Sequence, residues 1–212
     1  MVFLLPYVEQ GALWSGYAAA NTPGFMEATV VQIFICPAEP YSVGQGGYGW
    51  SKNIGITFGD YAGNFQVFGN PLGAIACNSG YCSTYLEGLA SLKSSFPDGT
   101  SNTIMLTERN GSNCNGQALL WGDSNGQWRP SFCDTPYPAA SYTPQYAPCP
   151  LFQVQPTPSS CNIQLASSFH TGGIPVCLAD GSVRFVTSGI SAATWAAACD
   201  PRDGTPLGTD WQ

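Results

Sequence analysis

Residues 174–186, IPVCLADGSVRFV, constrain the fold more than any other stretch of the chain, because their pattern is that of a β-hairpin. Asp180-Gly181 is a preferred central pair for a two-residue type I′ turn, in which both residues take positive φ. A turn at this point sets Leu178 opposite Val183, and the next apolar pair faces the same side. We therefore predict a hairpin over 174–186 with one apolar face.

The only histidine of the chain, His170, precedes Asp180 by ten positions. The six strand residues between them span roughly 20 Å, so the two side chains cannot share a metal or act as an acid–base pair within one molecule. We expect Asp180 and Gly181 to form the turn, and His170 to pack or form hydrogen bonds near the sheet edge. The pair Asp98-Gly99 receives the same structural interpretation, with the carboxylate accepting from local backbone amides.

The rest of the chain favours an α+β fold, a single domain over 1–212 with an antiparallel sheet, short helices and long Gly- and Pro-rich loops. Strands are predicted at 30–35, 103–108 and 118–121. Helices are predicted over 6–20 and, after a capping Ser191, over 192–198. Loops and short strands are expected over 40–82, and loops in a Pro-rich insertion at about 130–160 and in the tail from Asp200.

Charge excludes two classes of partner. Only 9% of the residues are charged, and six Lys and Arg against thirteen Asp and Glu give a net charge of -7 without a basic run. A surface that follows nucleic-acid phosphates needs clustered cations, so we expect no nucleic acid as a partner. A polybasic membrane-binding patch is excluded for the same reason.

Nine cysteines indicate disulfides and an oxidising compartment, because the chain has no Cys-x-x-Cys pair and too few histidines for a zinc finger. Cys77 and Cys82 flank a short turn and are the first candidate pair. Cys133, Cys149 and Cys161 lie around the Pro-rich loop, which a disulfide would close. An odd number leaves at least one thiol free or available for a bond between molecules.

Several motifs resemble one family of bacterial prepilin-type proteins, whose members have no assigned activity. The motifs are a His followed after nine residues by Asp-Gly-Ser-Val-Arg-Phe, LLPYVEQGALW (4–14), ICP (35–37), YAGN (61–64), DGTSNTIMLTE (98–108), FQVQP (152–156), SVRFVTSGISAATW (182–195) and DGTPLGTDW (203–211). They extend over nearly the whole chain.

The resemblance implies a pseudopilin-like globular head that is exported and displayed in the periplasm, at the cell surface or outside the cell. Relatives begin with a prepilin leader and a long hydrophobic helix, so we expect an N-terminal portion to be missing here and any membrane contact to depend on it. Cys177 and Cys199 stand where relatives are expected to carry small or polar residues, which suggests a bridge specific to this chain.

Three kinds of function are compared. The first is a non-enzymatic structural subunit of a pilus-like or pseudopilus-like filament or a surface layer, which would associate with copies of itself. The alternative is a secreted module that binds a glycan or another solute through its tryptophans and tyrosines. An enzyme is disfavoured, because no hydrolase, metalloprotease, P-loop or dinucleotide motif is present and one histidine leaves little room for a triad.

A calcium loop is a further hypothesis. Asp200, Asp203 and Asp210 lie in the Gly-rich tail, where hard oxygen ligands suit Ca²⁺ better than Zn²⁺. The tail is also similar to the Asp- and Gly-rich loop with which secretion pseudopilins bind calcium. No other cofactor is expected.

Overall fold

The computed structural model describes residues 1–20, 29–40, 58–69, 90–111, 114–122, 129–133 and 148–211. Its strands are β1 (Tyr61–Asn64), β2 (Ile104–Glu108), β3 (Ser131–Phe132), β4 (Gln153–Val154), β5 (Ser167–Ser168), β6 (Gly173–Leu178) and β7 (Val183–Thr187). Its α-helices are α1 (Gly11–Ala20), α2 (Phe65–Phe68) and α3 (Ala192–Cys199). No helix in these ranges has the length and hydrophobicity needed to span a bilayer.

Five of the strands form one sheet in the order β3-β1-β2-β6-β7. Every neighbouring pair is antiparallel except β1 and β3, which are parallel. Strands β4 and β5 form a separate parallel pair. The predicted α+β class is confirmed, and so are the strand at 103–108, observed as β2, and the absence of regular structure in the described tail.

The predicted hairpin forms, but its register was wrong by one residue. Val183 pairs with Cys177 instead of Leu178, and the Leu178 amide bonds to the Ser182 carbonyl. Within the turn only Gly181 has positive φ, at 85°. The connection is therefore a three-residue loop that ends in a left-handed glycine, which needs one positive φ where a type I′ turn needs two.

This shift by one residue exchanges the faces of β7. The core face of β6 carries Ile174, Val176 and Leu178, all fully buried, but Val183 and Phe185 point outward and are exposed. The single apolar face predicted for the hairpin is thus wrong. Strand β7 forms one edge of the sheet and presents apolar side chains to solvent.

The N-terminal region forms two helices where one was predicted. Instead of one helix over 6–20, a 3-10 helix (Val2–Tyr7) that contains Pro6 precedes α1. The two are separated at Glu9, whose φ of 60° interrupts the helical path. Proline is tolerated in the first turn of a helix, so the positive φ of Glu9, and not Pro6, is what breaks the predicted continuous helix.

The strand predicted at 30–35 is wrong, because this segment forms a 3-10 helix (Gln32–Phe34). Val31 and Phe34 are buried while Ile33 is exposed, which is the three-residue spacing of a 3-10 helix and not the two-residue spacing of a strand. The strand predicted at 118–121 reduces to one isolated bridge between Leu120 and Phe58.

Helix α3 covers the core face of the sheet. Trp195 is fully buried among sheet residues, and its indole N–H donates to the Pro150 carbonyl at 2.9 Å. As predicted, Ser191 caps the helix, with its hydroxyl oxygen accepting from the Thr194 amide. The Asn64 side chain joins the layers by donating to carbonyls of β2 and of Cys199.

Two disulfides are present in the described residues. Cys133–Cys149 closes the Pro-rich loop, as expected, while Cys161 pairs with Cys114. The suggested Cys177–Cys199 bridge is wrong, since both thiols are free. Alternation along β6 places Cys177 on the face opposite to the core, whereas Cys199 lies in α3 on the core side. Cys77 and Cys82 lie outside the described residues.

Candidate functional site: a cluster of Cys36, Glu108 and His170

Three side chains of different chemistry converge at one end of the sheet. The Cys36 thiol donates to Glu108 Oε1 at 3.1 Å, and His170 Nε2 lies 3.0 Å from the same oxygen. Cys36 Sγ and His170 Nε2 are 3.6 Å apart. We call these three residues the CEH cluster. Its ligand-type atoms all lie within 4.8 Å of one another.

The pairing of β2 with β6 brings Glu108 and His170 together. The strands are antiparallel, with Ile104 opposite Leu178 and Thr107 opposite Val176, so the last residue of β2 lies near the start of β6. His170 lies three positions before Gly173, the first residue of β6. At the other end of the ribbon the Asp180 amide donates to the Thr100 carbonyl, so the two Asp-Gly turns meet there. His170 and Asp180 are therefore separated by β6 and by the residues that lead into it.

Asp60 positions Cys36. Its Oδ2 accepts from the Cys36 amide at 2.7 Å and its Oδ1 accepts from the Gly111 amide at 3.1 Å. Its backbone bonds to Phe34 on one side and to Arg109 on the other. This buried carboxylate thereby joins the 30–36 segment to the segment that follows β2.

The cluster is buried on one side and open on the other. Cys36 is buried and the Glu108 side chain is only 4% exposed, whereas the His170 side chain is 39% exposed. The Ser168 hydroxyl donates to Glu108 Oε2 at 2.6 Å, and the His170 amide donates to Ser168 Oγ. The second carboxylate oxygen is thus engaged, while Oε1 faces the thiol and the ring.

The surroundings of the cluster are electronegative. Burial raises the pKa of the Cys36 thiol to about 12, and its hydrogen bond with Glu108 and the nearby Asp60 charge act in the same direction. Burial likewise raises the pKa of Tyr61 to about 12, with Cys36 and Glu108 contributing. The thiol is therefore protonated at neutral pH.

This arrangement does not suit cysteine nucleophilic catalysis. A catalytic cysteine needs a lowered pKa, and its base is oriented through the second ring nitrogen. Here the pKa of Cys36 is raised, and the thiol and the carboxylate of Glu108 both contact Nε2 of His170. One sulfur, one carboxylate oxygen and one imidazole nitrogen are, however, a donor set that transition metals accept.

The other group of potential metal ligands among the described residues has fewer free donor atoms. Cys199 lies near Cys133 and Cys149. Those two are joined in a disulfide, so only one thiol is available there.

The structure places His170 in hydrogen bonds at the end of β2, the central strand of the sheet, and sequence reasoning missed both of its partners. Cys36 lies 134 positions away and Glu108 62 positions away. The only available signal was that both belong to motifs quoted above, ICP and DGTSNTIMLTE. Asp180 lies at the turn, where its carboxylate accepts from the Ser182 amide and hydroxyl.

The structure places the aspartates of the calcium hypothesis at opposite ends of α3. Asp210 accepts from Ser191 at the start of α3, and Asp200 lies at its end, about 12 Å along an eight-residue helix. Asp203 accepts from the Thr205 amide.

Asp98, expected to accept from neighbouring amides, instead accepts from the distant Gly204 amide. Gly99 has a φ of 100°, so the turn assigned to this pair is present.

Comparison with known proteins gives a family and no activity. No curated protein and no protein of solved structure matches the chain. The model of a family described as a protein of unknown function, DUF1559, matches residues 1–193. The chain therefore belongs to the DUF1559 family.

Proposed function

We propose that the protein is a non-enzymatic structural subunit of an assembly at the cell surface or in the envelope, pilus-like or layer-like, in which the described fold is the head that associates with copies of itself. The observation that carries the proposal is the apolar surface of the N-terminal region. Its two 3-10 helices leave Phe3, Tyr7 and Ile33 exposed at 65%, 84% and 60%.

These exposed side chains stand on a small core of their own. Leu5, Val31, Phe34 and Trp121 form a buried cluster separate from the core of the main sheet. Among the described residues, Phe3, Tyr7 and Ile33 lie outside this buried cluster. We propose that a second copy of the chain binds the exposed apolar side chains of these two 3-10 helices.

Composition supports contact between copies. With 9% charged residues, a neighbouring subunit desolvates few ions when it packs against the head. The two disulfides support export, because such bonds persist in oxidising compartments.

The CEH cluster does not support a role as a cysteine nucleophile. A thiol whose pKa is about 12 is not a nucleophile at neutral pH. The cluster instead connects the segment after the 3-10 helix at residues 32–34 with β2 and with the approach to β6.

Glycan or solute binding stays the alternative prediction. Stacking platforms must be exposed, but Trp121 and Trp195 are fully buried and each donates its indole N–H to a backbone carbonyl. Trp50 and Trp128 lie outside the described residues.

Sedimentation velocity over a range of protein concentrations, with negative-stain microscopy of the same samples, tests the proposal. We expect self-association that Phe3→Ser and Ile33→Ser weaken. Leu92→Ser is the matched control, since Leu92 is similarly exposed but belongs to a turn and not to either 3-10 helix. A monomer at all concentrations, or equal effects of the three substitutions, would contradict the proposal.

A further inference from the structure

We propose that the CEH cluster is a zinc site, in which Cys36 Sγ, Glu108 Oε1 and His170 Nε2 bind one Zn²⁺ and a water from the exposed side completes a tetrahedron. The inference is independent of self-association, because it rests on side chains that are not part of the exposed N-terminal surface.

The distances between the three atoms are close to those of a tetrahedral site. Zinc lies about 2.3 Å from sulfur and about 2.0 Å from nitrogen or oxygen, which separates pairs of ligand atoms by roughly 3.3–3.6 Å. The observed separations are 3.6 Å for sulfur to nitrogen, 3.1 Å for sulfur to oxygen and 3.0 Å for nitrogen to oxygen. Shifts of a few tenths of an ångström are enough to admit the ion.

The donor types select the metal class. Thiolate and imidazole favour zinc and other late first-row ions over Ca²⁺ and Mg²⁺, which prefer oxygen ligands. On binding, the Cys36 S–H bond breaks, its proton passes to solvent and a Zn–S bond forms.

Groups around the cluster are arranged as in outer coordination shells. The Ser168 hydroxyl holds Glu108 through Oε2, which leaves Oε1 directed at the thiol and the imidazole. The Ala38 amide lies 3.4 Å from Cys36 Sγ as a donor, and such bonds stabilise a thiolate. Asp60 fixes the backbone of Cys36. Contacts of this kind orient ligands and add to metal affinity.

The open side of the site lies at His170, whose side chain is 39% exposed. An ion can therefore enter and leave without unfolding, and a water can occupy the fourth position. Zinc that is held by three protein ligands carries a water at its open fourth position. Because the ligands come from three separate segments of the chain, bound zinc would cross-link the N-terminal region to the sheet.

The test uses the full-length, disulfide-intact protein freed of metal with a chelator and then titrated with Zn²⁺ against a competing chromophoric chelator. We expect one high-affinity ion per chain and an increase in Tm that EDTA reverses. Titration with Co²⁺ should produce a sulfur-to-metal charge-transfer band and the visible bands of a tetrahedral site.

Variants assign the ligands. His170→Gln and Cys36→Ser should weaken binding by at least about 100-fold, and Ser168→Ala by about 10–100-fold, the range for an outer-shell partner. Cys177→Ser is the matched control, because this thiol is also free but lies on β6 outside the cluster. It should retain both affinity and charge-transfer band.

His170→Gln is the variant least at risk of misfolding, because the His170 side chain is partly exposed. A melting temperature in EDTA equal to that of the wild type would show that the variant folds. The proposal is overturned if wild-type protein binds no stoichiometric Zn²⁺. It is also overturned if folded His170→Gln binds as tightly as wild type, or if Cys177→Ser loses the ion. Sedimentation velocity in the presence of zinc and of EDTA measures self-association separately from zinc binding.

Discussion

Replacing Asp60 with asparagine should weaken the fold more than any comparable change of an exposed aspartate. Asp60 is buried, and its two oxygens accept from the amides of Cys36 and Gly111. Asparagine keeps one acceptor oxygen but directs an NH₂ group at the other amide. One charge-assisted bond, worth about 1.5–3 kcal/mol, is lost and a buried N–H is left facing a donor.

Weaker electrostatic repulsion partly offsets the lost hydrogen bond. The Asp60 and Glu108 charges both contribute to the raised pKa of the Cys36 thiol, so the two carboxylates lie in one electronegative region. Removing one charge eases their repulsion. We therefore expect Asp60→Asn to lower the free energy of unfolding by about 2 kcal/mol, near the lower end of the hydrogen-bond range.

Guanidinium denaturation measures the effect as a lower midpoint with an unchanged m-value. Asp203→Asn is the control: its carboxylate also accepts from a backbone amide, but it is exposed, and the change should cost no more than about 0.5 kcal/mol. Equal midpoints for the two variants would refute the role assigned to Asp60.

Three further predictions concern single features of the fold. Gly181→Ala should lower the free energy of unfolding by about 1 kcal/mol, because the φ at Gly181 is 85°. Gly189→Ala should be nearly neutral in the same denaturation assay, because no atom lies closer than 4.0 Å to the added carbon. The Thr194 hydroxyl lowers the pKa of Asp210 from 3.8 to about 2. The ionised Asp210 carboxylate therefore contributes its full stabilisation above about pH 4, and this stabilisation is lost as the pH falls through 2. The stability difference between wild type and Asp210→Asn should therefore shrink over that interval, and a constant difference would oppose the assignment. Replacing both cysteines of the 133–149 disulfide with alanine should cost about 3 kcal/mol, measured by denaturation, and an unchanged midpoint would contradict this.

Features determined by neighbouring residues could be predicted from the sequence. The capped helix α3, strand β2 and the hairpin each depend on a local pattern, and each is present. The register of the hairpin was not determined in this way, because Asp-Gly fits both a two-residue turn and a three-residue loop with a left-handed glycine. The choice depends on which face of β7 the core can accommodate.

The segment at 30–35 shows a different limit. A run of apolar residues fits either a buried strand or a helix packed through every third residue, and only the surrounding core decides between them. Here Val31 and Phe34 are buried beside Trp121, 87 positions beyond Phe34, so the deciding contact is long-range.

The CEH cluster could not be predicted for the same reason. Its three residues come together through the pairing of β2 with β6 and through the attachment of Cys36 to Asp60. Considered alone, His170 gave no indication of either partner. Strand length predicts a separation from Asp180, but that excludes only one possible site for the imidazole.

Anomalous diffraction at the zinc absorption edge, from crystals of the disulfide-intact protein grown with Zn²⁺, would test most directly how the lone imidazole is used. We predict one strong peak within bonding distance of Cys36 Sγ, Glu108 Oε1 and His170 Nε2. A zinc-free cluster in crystals that carry the ion at other sites, or a density map in which these three side chains lie apart, would contradict the account.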